Sequence, residues 1–305
     1  MEHPHMKLRG VWVPLITPFI EGRVDERSLR DLVERLVDDG VSGLIALGTT
    51  GECPVVSTEE HLEVTRIVTE VARQRVPVLA GAGGPDTRHV CTLIERLEGA
   101  GVDGILSVCP YYNRPNQAGL RAHFEAVARS TSLPIVLYNI PYRTGINLEN
   151  DTVRALAEQD NIVGLKDSCG NLQQSMDLLQ NPPHDFSILT GEDALFYVML
   201  ALGADGGVLA SAHYATRTFV AVWQKVTAND HVAARVLWKT LVDVVKLLFS
   251  EPNPAPLKYL LYMQGLIQSA AVRLPLVTAS ENLQEKLRAA LDARAARVGQ
   301  LGGWE

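Results

Sequence analysis

Paired cysteines are missing from this chain. The four present, Cys53, Cys91, Cys109 and Cys169, are irregularly spaced and form no CxxC. Reduced thiols therefore fit better than a disulfide framework. The eight histidines show neither HxxxH nor HExxH spacing, so no metal site is expected. A basic stripe is also lacking. With a net charge of −7 the chain has little to offer a phosphate backbone, and nucleic acid is set aside as a partner. Apolar runs are broken by glycine or charge well short of the ~18 residues of a membrane span. Met1 to Gly10 carry charge but lead into no signal-peptide core, so a cytoplasmic location is expected.

What the chain does have is alternation. At 305 residues and 47% apolar content it is long for an average domain and ordinary for one α/β barrel. Apolar runs at 11–19, 43–48, 76–81, 104–109, 133–138, 162–166, 186–190 and 206–210 read as strands. Amphipathic stretches follow them. Val24 to Ser28 opens a helix with Leu29, Leu32, Val33 and Leu36 on one face, and Gly40 closes it. Ser57 and Thr58 cap the next, with Glu60 in its first turn. Further helices are read at 86–97, 117–130, 148–158 (with Asn150 as a cap), 172–179 and 194–202. An open doubly wound sheet fits less well, because no GxGxxG follows the first strand. The expectation is a closed (β/α)8 TIM barrel over residues 1–212. Helices at 215–227, 230–249, 256–268 and 281–298 form a C-terminal helical extension, 213–305, packed on the barrel as one unit and suited to subunit contact.

A barrel carries its chemistry at the C-terminal ends of its strands. Those ends hold Gly48-Thr49-Thr50-Gly51-Glu52, Tyr111 and Tyr112, Tyr138 with Asn139 and Arg143, Lys166, Gly191-Glu192-Asp193, and Val208 with Ser211. Glu192 and Asp193 precede a helix, where acids serve as caps. Lys166 alone could merely end its strand and reach solvent. In this company it reads as a nucleophile. A lysine amine in a dry pocket sheds its charge more easily and attacks a ketone to form a Schiff base. Tyrosine hydroxyls relay protons. A Gly-Thr-Thr-Gly turn offers N–H groups and hydroxyls to a carboxylate, and Arg143 offers a second fork. The implied substrates are a 2-oxo acid and an aldehyde, which can carry its own acid group. No other cofactor is required.

Gly48-Thr-Thr-Gly-Glu52, Tyr111-Tyr-Asn-Arg-Pro115, Tyr138-Asn-Ile-Pro-Tyr-Arg-Thr-Gly145 and Gly164-Leu-Lys-Asp-Ser168 resemble, in order, the motifs of the dihydrodipicolinate synthase / N-acetylneuraminate lyase family. These are class I, pyruvate-dependent aldolases, and the likeness runs from about Gly10 to Leu291. The resemblance implies that Lys166 forms the Schiff base with pyruvate and that Tyr138 transfers protons above it. Thr49 and Tyr112 would complete the relay, Tyr112 reaching across a dimer interface in a homotetramer built as a dimer of dimers. Thr50 and the backbone of Thr49 would hold the pyruvate carboxylate, Val208 would line the pocket, and Gly191 would border the substrate.

The resemblance is closest to the synthases of the family, which condense pyruvate with L-aspartate 4-semialdehyde on the route to lysine. Arg143 matches the arginine that binds the semialdehyde carboxylate there, and Glu251-Pro-Asn-Pro-Ala-Pro-Leu-Lys258 is similar to a synthase segment. Asp167-Ser168 after the lysine is commoner in 4-hydroxy-2-oxoglutarate and 2-keto-3-deoxy sugar acid aldolases, which stand as the alternative. Leu209-Ala-Ser-Ala-His213 also departs from the usual synthase strand, and Tyr142 replaces a small residue. A non-catalytic 2-oxo acid-binding relative and a metal-dependent class II aldolase are alternatives of other classes. Where lysine-inhibited synthases hold the effector with an acid and an amide, this chain has His89 and Pro85, beside His61 and Tyr111. Neither can face an ammonium as a carboxylate does, so weak or absent lysine inhibition is expected.

Overall fold

A computed structural model describes residues 6–300. Eight parallel strands close into a barrel: β1 Gly10–Pro14, β2 Gly43–Ala46, β3 Val78–Ala82, β4 Gly104–Val108, β5 Ile135–Asn139, β6 Ile162–Asp167, β7 Ser187–Thr190 and β8 Gly206–Val208. Each pairs with its neighbour in sequence, and β1 pairs with β8 to complete the ring. A small antiparallel hairpin, Phe19–Ile20 with Arg23–Val24, lies outside it.

The helices start where local chemistry favours them. In α1, Glu26–Asp38, Asp25 accepts the Ser28 N–H. In α2, Thr58–Ala72, Ser57 and Glu60 form a reciprocal capping box. Asp86 and Asn116 cap α3, Thr87–Glu98, and α4, Gln117–Arg129. One cap differs from expectation. In α5, Asn150–Leu156, Glu149 occupies the capping position without a side-chain bond. Asn150 instead donates to Gln174 O at 2.9 Å and Asp177 Oδ2 at 2.7 Å, tying α5 to α6, Leu172–Gln180. A further departure follows β7: a single tight turn, Asp193–Leu195, precedes α7, Phe196–Ala201.

Side chains alternate between two dry layers, as the strand period of two requires. Trp12, Ile45, Leu79, Leu106, Val136 and Leu189 fill the barrel interior. Val13, Leu44, Ile105, Leu137, Leu165 and Ile188 turn outward into the helices. Leu165 thus faces the helices, and Lys166, the next residue, faces the interior.

Helix α8, Thr216–Thr227, buries Phe219 and Val222 in the same cluster as Val11 and Val13 of β1. It packs against β1 as the helix that follows β8. Outside the ring are α9, His231–Leu248, α10, Ala255–Met263, and α11, Glu281–Gln300. The expected helix at 256–268 ends at Met263, and Gly265 follows with φ +70°. Leu241, Val245, Leu260 and Leu287 of these helices share one buried cluster with the barrel's outward-facing residues.

Candidate active site

Tyr138 and Lys166 are direct partners in the β5–β6 ladder. Lys166 is buried, 4% exposed, and does not reach out to solvent. Its Nζ lies 3.9 Å from the centre of the Tyr138 ring. Gly191, at the end of β7, makes room for it. A Cβ there would fall 2.6 Å from Lys166 Cε and 2.2 Å from Ser168 Oγ, so any side chain would displace the lysine. The Gly191 N–H donates to Asp167 O at 2.7 Å, fixing the β7 end against β6.

A small cavity of about 20 Å³ at this point is lined by Thr49, Thr50, Tyr138, Tyr142, Arg143, Lys166, Gly191 and Val208, among others. Thr49, Tyr138, Ile140 and Arg143 also line a larger, mostly apolar cavity of about 240 Å³ that runs towards Tyr111, Cys53 and Gly83. Lys166 lies in the first and not the second, and Tyr138 stands where the two meet. Every expected site residue except Tyr112 therefore converges on one mouth. Tyr112 is 91% exposed, with φ +73°, and lines neither cavity.

Arg143 is set by the single helical turn Pro141–Thr144, which Gly145 ends at φ +76°. Its guanidinium makes one long hydrogen bond, 3.5 Å, to Asn253 O. Asn253 Nδ2 donates to Thr50 Oγ1 at 3.0 Å. Asn253 thus links Thr50 to Arg143 from outside the barrel ring.

The acids are not arranged as caps. Glu192 makes no side-chain cap bond, and Asp193, fully buried, accepts the Ser211 N–H at 2.6 Å. Asp193 thus holds the β8 end to the β7 end. Burial pushes its pKa up to about 6. Burial, and next Asp193 beside it, push Glu192 up to about 7. Glu52 is not at the mouth at all. It pairs with Lys258 of α10 in a fully buried ion pair, N–O 2.5 Å. Asp167 also turns away from the cavity: its carboxylate accepts the Ser175 hydroxyl at 2.5 Å and the Cys169 N–H at 3.0 Å.

The sequence pointed to Asn253 and Lys258 only as part of a segment similar to synthases. Their partners, Thr50 and Glu52, are 203 and 206 residues away, beyond any local pattern. Among the described residues no group of three or more His, Cys, Asp or Glu could hold a metal ion. No helix there is long and apolar enough to cross a membrane.

Comparison with known proteins now bears on this arrangement. Residues 7–294 match the model of the Dihydrodipicolinate synthetase family. The chain belongs to this family. It is 51% identical over 282 residues to 4-hydroxy-tetrahydrodipicolinate synthase 2 of Clostridium acetobutylicum, covering 92% of this chain and 99% of that protein. It is 41% identical over 287 residues to the 4-hydroxy-tetrahydrodipicolinate synthase of Laribacter hongkongensis, covering 94% and 98%. The solved 4-hydroxy-tetrahydrodipicolinate synthase of Methylacidiphilum fumariolicum superposes with a TM-score of 0.94 at 39% identity, over 96% of this chain and 98% of that one.

Proposed function

We propose that this chain is a lysine Schiff-base lyase that condenses pyruvate with L-aspartate 4-semialdehyde. The observation that carries the reading is the buried Lys166 amine over the Tyr138 ring, in a mouth that also holds Arg143. Its family membership supports it, as do relatives named 4-hydroxy-tetrahydrodipicolinate synthase.

In this mechanism the Lys166 amine adds to the pyruvate ketone carbon, and the resulting carbinolamine loses water to give an iminium. The iminium withdraws electrons, so the methyl carbon loses a proton and becomes an enamine nucleophile. That carbon bonds to the aldehyde carbon, whose oxygen takes up a proton. Loss of the product from Lys166, by hydrolysis or by ring closure through an amine of the product, frees the lysine. Tyr138, its ring centre 3.9 Å from the amine, moves protons at the carbinolamine and at the new alcohol. Thr50 and the N–H of Thr49 hold the pyruvate carboxylate. Val208 and Gly191 shape the pocket, and Arg143 takes the semialdehyde carboxylate. Tyr112, turned fully outward, serves the site of a second copy and connects there through Thr49 to Tyr138. A dimer is then the smallest complete unit and a homotetramer the natural assembly, acting in the cytoplasm.

Asp167, part of the pair that suggested a sugar-acid aldolase, does not weigh against this. Asp167 is consumed by Ser175 and Cys169, outside the cavity. The test is condensation of pyruvate with aspartate semialdehyde, glyoxylate and sugar aldehydes in parallel. The proposal expects the semialdehyde to be preferred by at least about tenfold in kcat/KM, and Arg143→Ala to remove that preference while leaving pyruvate binding intact. Preference for a sugar aldehyde would refute it.

A further inference from the structure

Away from the mouth, a polar cavity of about 550 Å³ lies on the barrel flank, between α1, α8 and α11. It shares no lining residue with the two cavities of the mouth. Each of the three helices gives it one arginine: Arg35, Arg217 and Arg294. Among the described residues two carboxylates accompany them, Asp39 and the exposed Asp292.

Arg35 Nη1 donates to His213 O at 3.0 Å, and its Nε lies 3.6 Å from Asp39 Oδ2. Arg217 Nε donates to Asp39 Oδ1 at 2.7 Å. Asp39, its side chain 11% exposed, is therefore shared by two guanidiniums. Arg294 is buried, with its guanidinium carbon 5.3 Å from the centre of the Tyr214 ring, and its Nη2 donates to Thr218 Oγ1 at 3.0 Å. Arginine stays charged even when buried. Cations thus outnumber acids on this wall, in a chain whose net charge is −7. The start of α8 adds to them. Ala215 gives its first turn no side-chain acceptor, and Ala215 to Thr218 line the cavity. The positive end of a helix dipole favours an anion there.

We propose that this cavity binds a small oxyanion of two or more charges, carrying a phosphate group or several carboxylates. Guanidinium forks match such groups in plane and spacing. A charge of two or more suits a wall that offers three guanidiniums and a helix start.

Isothermal titration calorimetry of the full chain at constant ionic strength tests this, with inorganic phosphate and citrate as separate ligands and chloride and acetate as controls. Phosphate or citrate should bind saturably at one site per chain with Kd below about 1 mM, and the controls should not. Binding of phosphate alone assigns a phosphoryl ligand, and binding of citrate alone a polycarboxylate. Arg217→Gln changes a side chain that is 61% exposed. It should weaken binding by about fivefold, the upper worth of a half-exposed ion pair. Asp39→Asn removes the competing carboxylate and should tighten binding. Arg143→Ala should leave it unchanged, which separates this cavity from the mouth. Borohydride trapping of pyruvate should match wild type in Arg217→Gln and Asp39→Asn, reporting a folded chain. No saturable binding of either ligand, loss of binding in Arg143→Ala, weaker binding in Asp39→Asn, or equal affinity in wild type and Arg217→Gln would overturn the proposal.

Discussion

Replacing Lys258 with methionine should be among the most damaging single changes outside the mouth. The Lys258 and Glu52 side chains are both 0% exposed, and each makes a second bond. Lys258 Nζ donates to Ala271 O and Glu52 Oε2 accepts the Arg273 N–H, both at 2.9 Å. Phe19 roofs the ammonium 4.2 Å away. Burial pulls the Lys258 pKa down to about 8 even with Glu52 beside it. Methionine matches the stem but leaves Glu52 Oε1 against a methyl group. Breaking a buried pair from one side costs about 3–5 kcal/mol. Glu52→Gln strands the ammonium instead, and Lys258, without Glu52 to raise its pKa, can then shed its proton below about 8, so that loss should shrink as the pH rises towards about 8 and stay constant above it. The double variant, with neither charge, should recover at least half of either loss. Glu52 closes the Thr49–Gly51 turn at φ +57°, so each single variant should also weaken pyruvate binding through Thr50. Urea unfolding followed by tryptophan fluorescence gives the energies, and a double-mutant cycle gives the coupling. Single losses below about 1 kcal/mol, or strict additivity in the double variant, would refute the reasoning.

Three further outcomes are expected. Tyr138→Phe should leave the pyruvate adduct in place and slow turnover by roughly 10²–10⁴-fold, the usual worth of general acid–base help, measured by steady-state and trapping assays together. His61, His123 and His213 are buried, and burial lowers each to about 4 from 6.5. His213 is held neutral by accepting the Ile16 N–H on Nε2 and donating from Nδ1 to Ala210 O. The stability they contribute is full above pH 6.5 and is lost as the pH falls towards 4, about 3 kcal/mol each at most. Glu192 and Asp193, raised rather than lowered, oppose this by gaining protons over the same span. A His123→Phe variant should therefore lose less stability than wild type between pH 6.5 and 4 in denaturant titrations. Millimolar lysine should inhibit weakly or not at all, since His89 and Pro85 occupy the places of the acid and amide; complete inhibition would contradict that.

The barrel was legible because strands buried on both faces leave unbroken apolar runs, and Ser57 or Asp86 mark helix starts by local rules. Lys166 was legible for the same reason, as a cation ending an apolar strand. Short-range rules misled at Asn150 and Glu192-Asp193. There a residue suited to capping found a stronger partner across space: Gln174 and Asp177 for one, Ser211 for Asp193. Asn253 and Glu52–Lys258 were hidden more deeply. Their roles exist only once α10 folds back onto the Thr49–Thr50 turn, and nothing within a helix or strand period encodes that contact.

The central claim is that Lys166 is the nucleophile. Its most direct test is reduction with borohydride in the presence of pyruvate, followed by intact mass and peptide mapping. The wild-type chain should gain the mass of one reduced pyruvate, located on the peptide containing Lys166, and Lys166→Ala should gain none. An unmodified wild-type chain, or an adduct that persists in Lys166→Ala, would contradict the account.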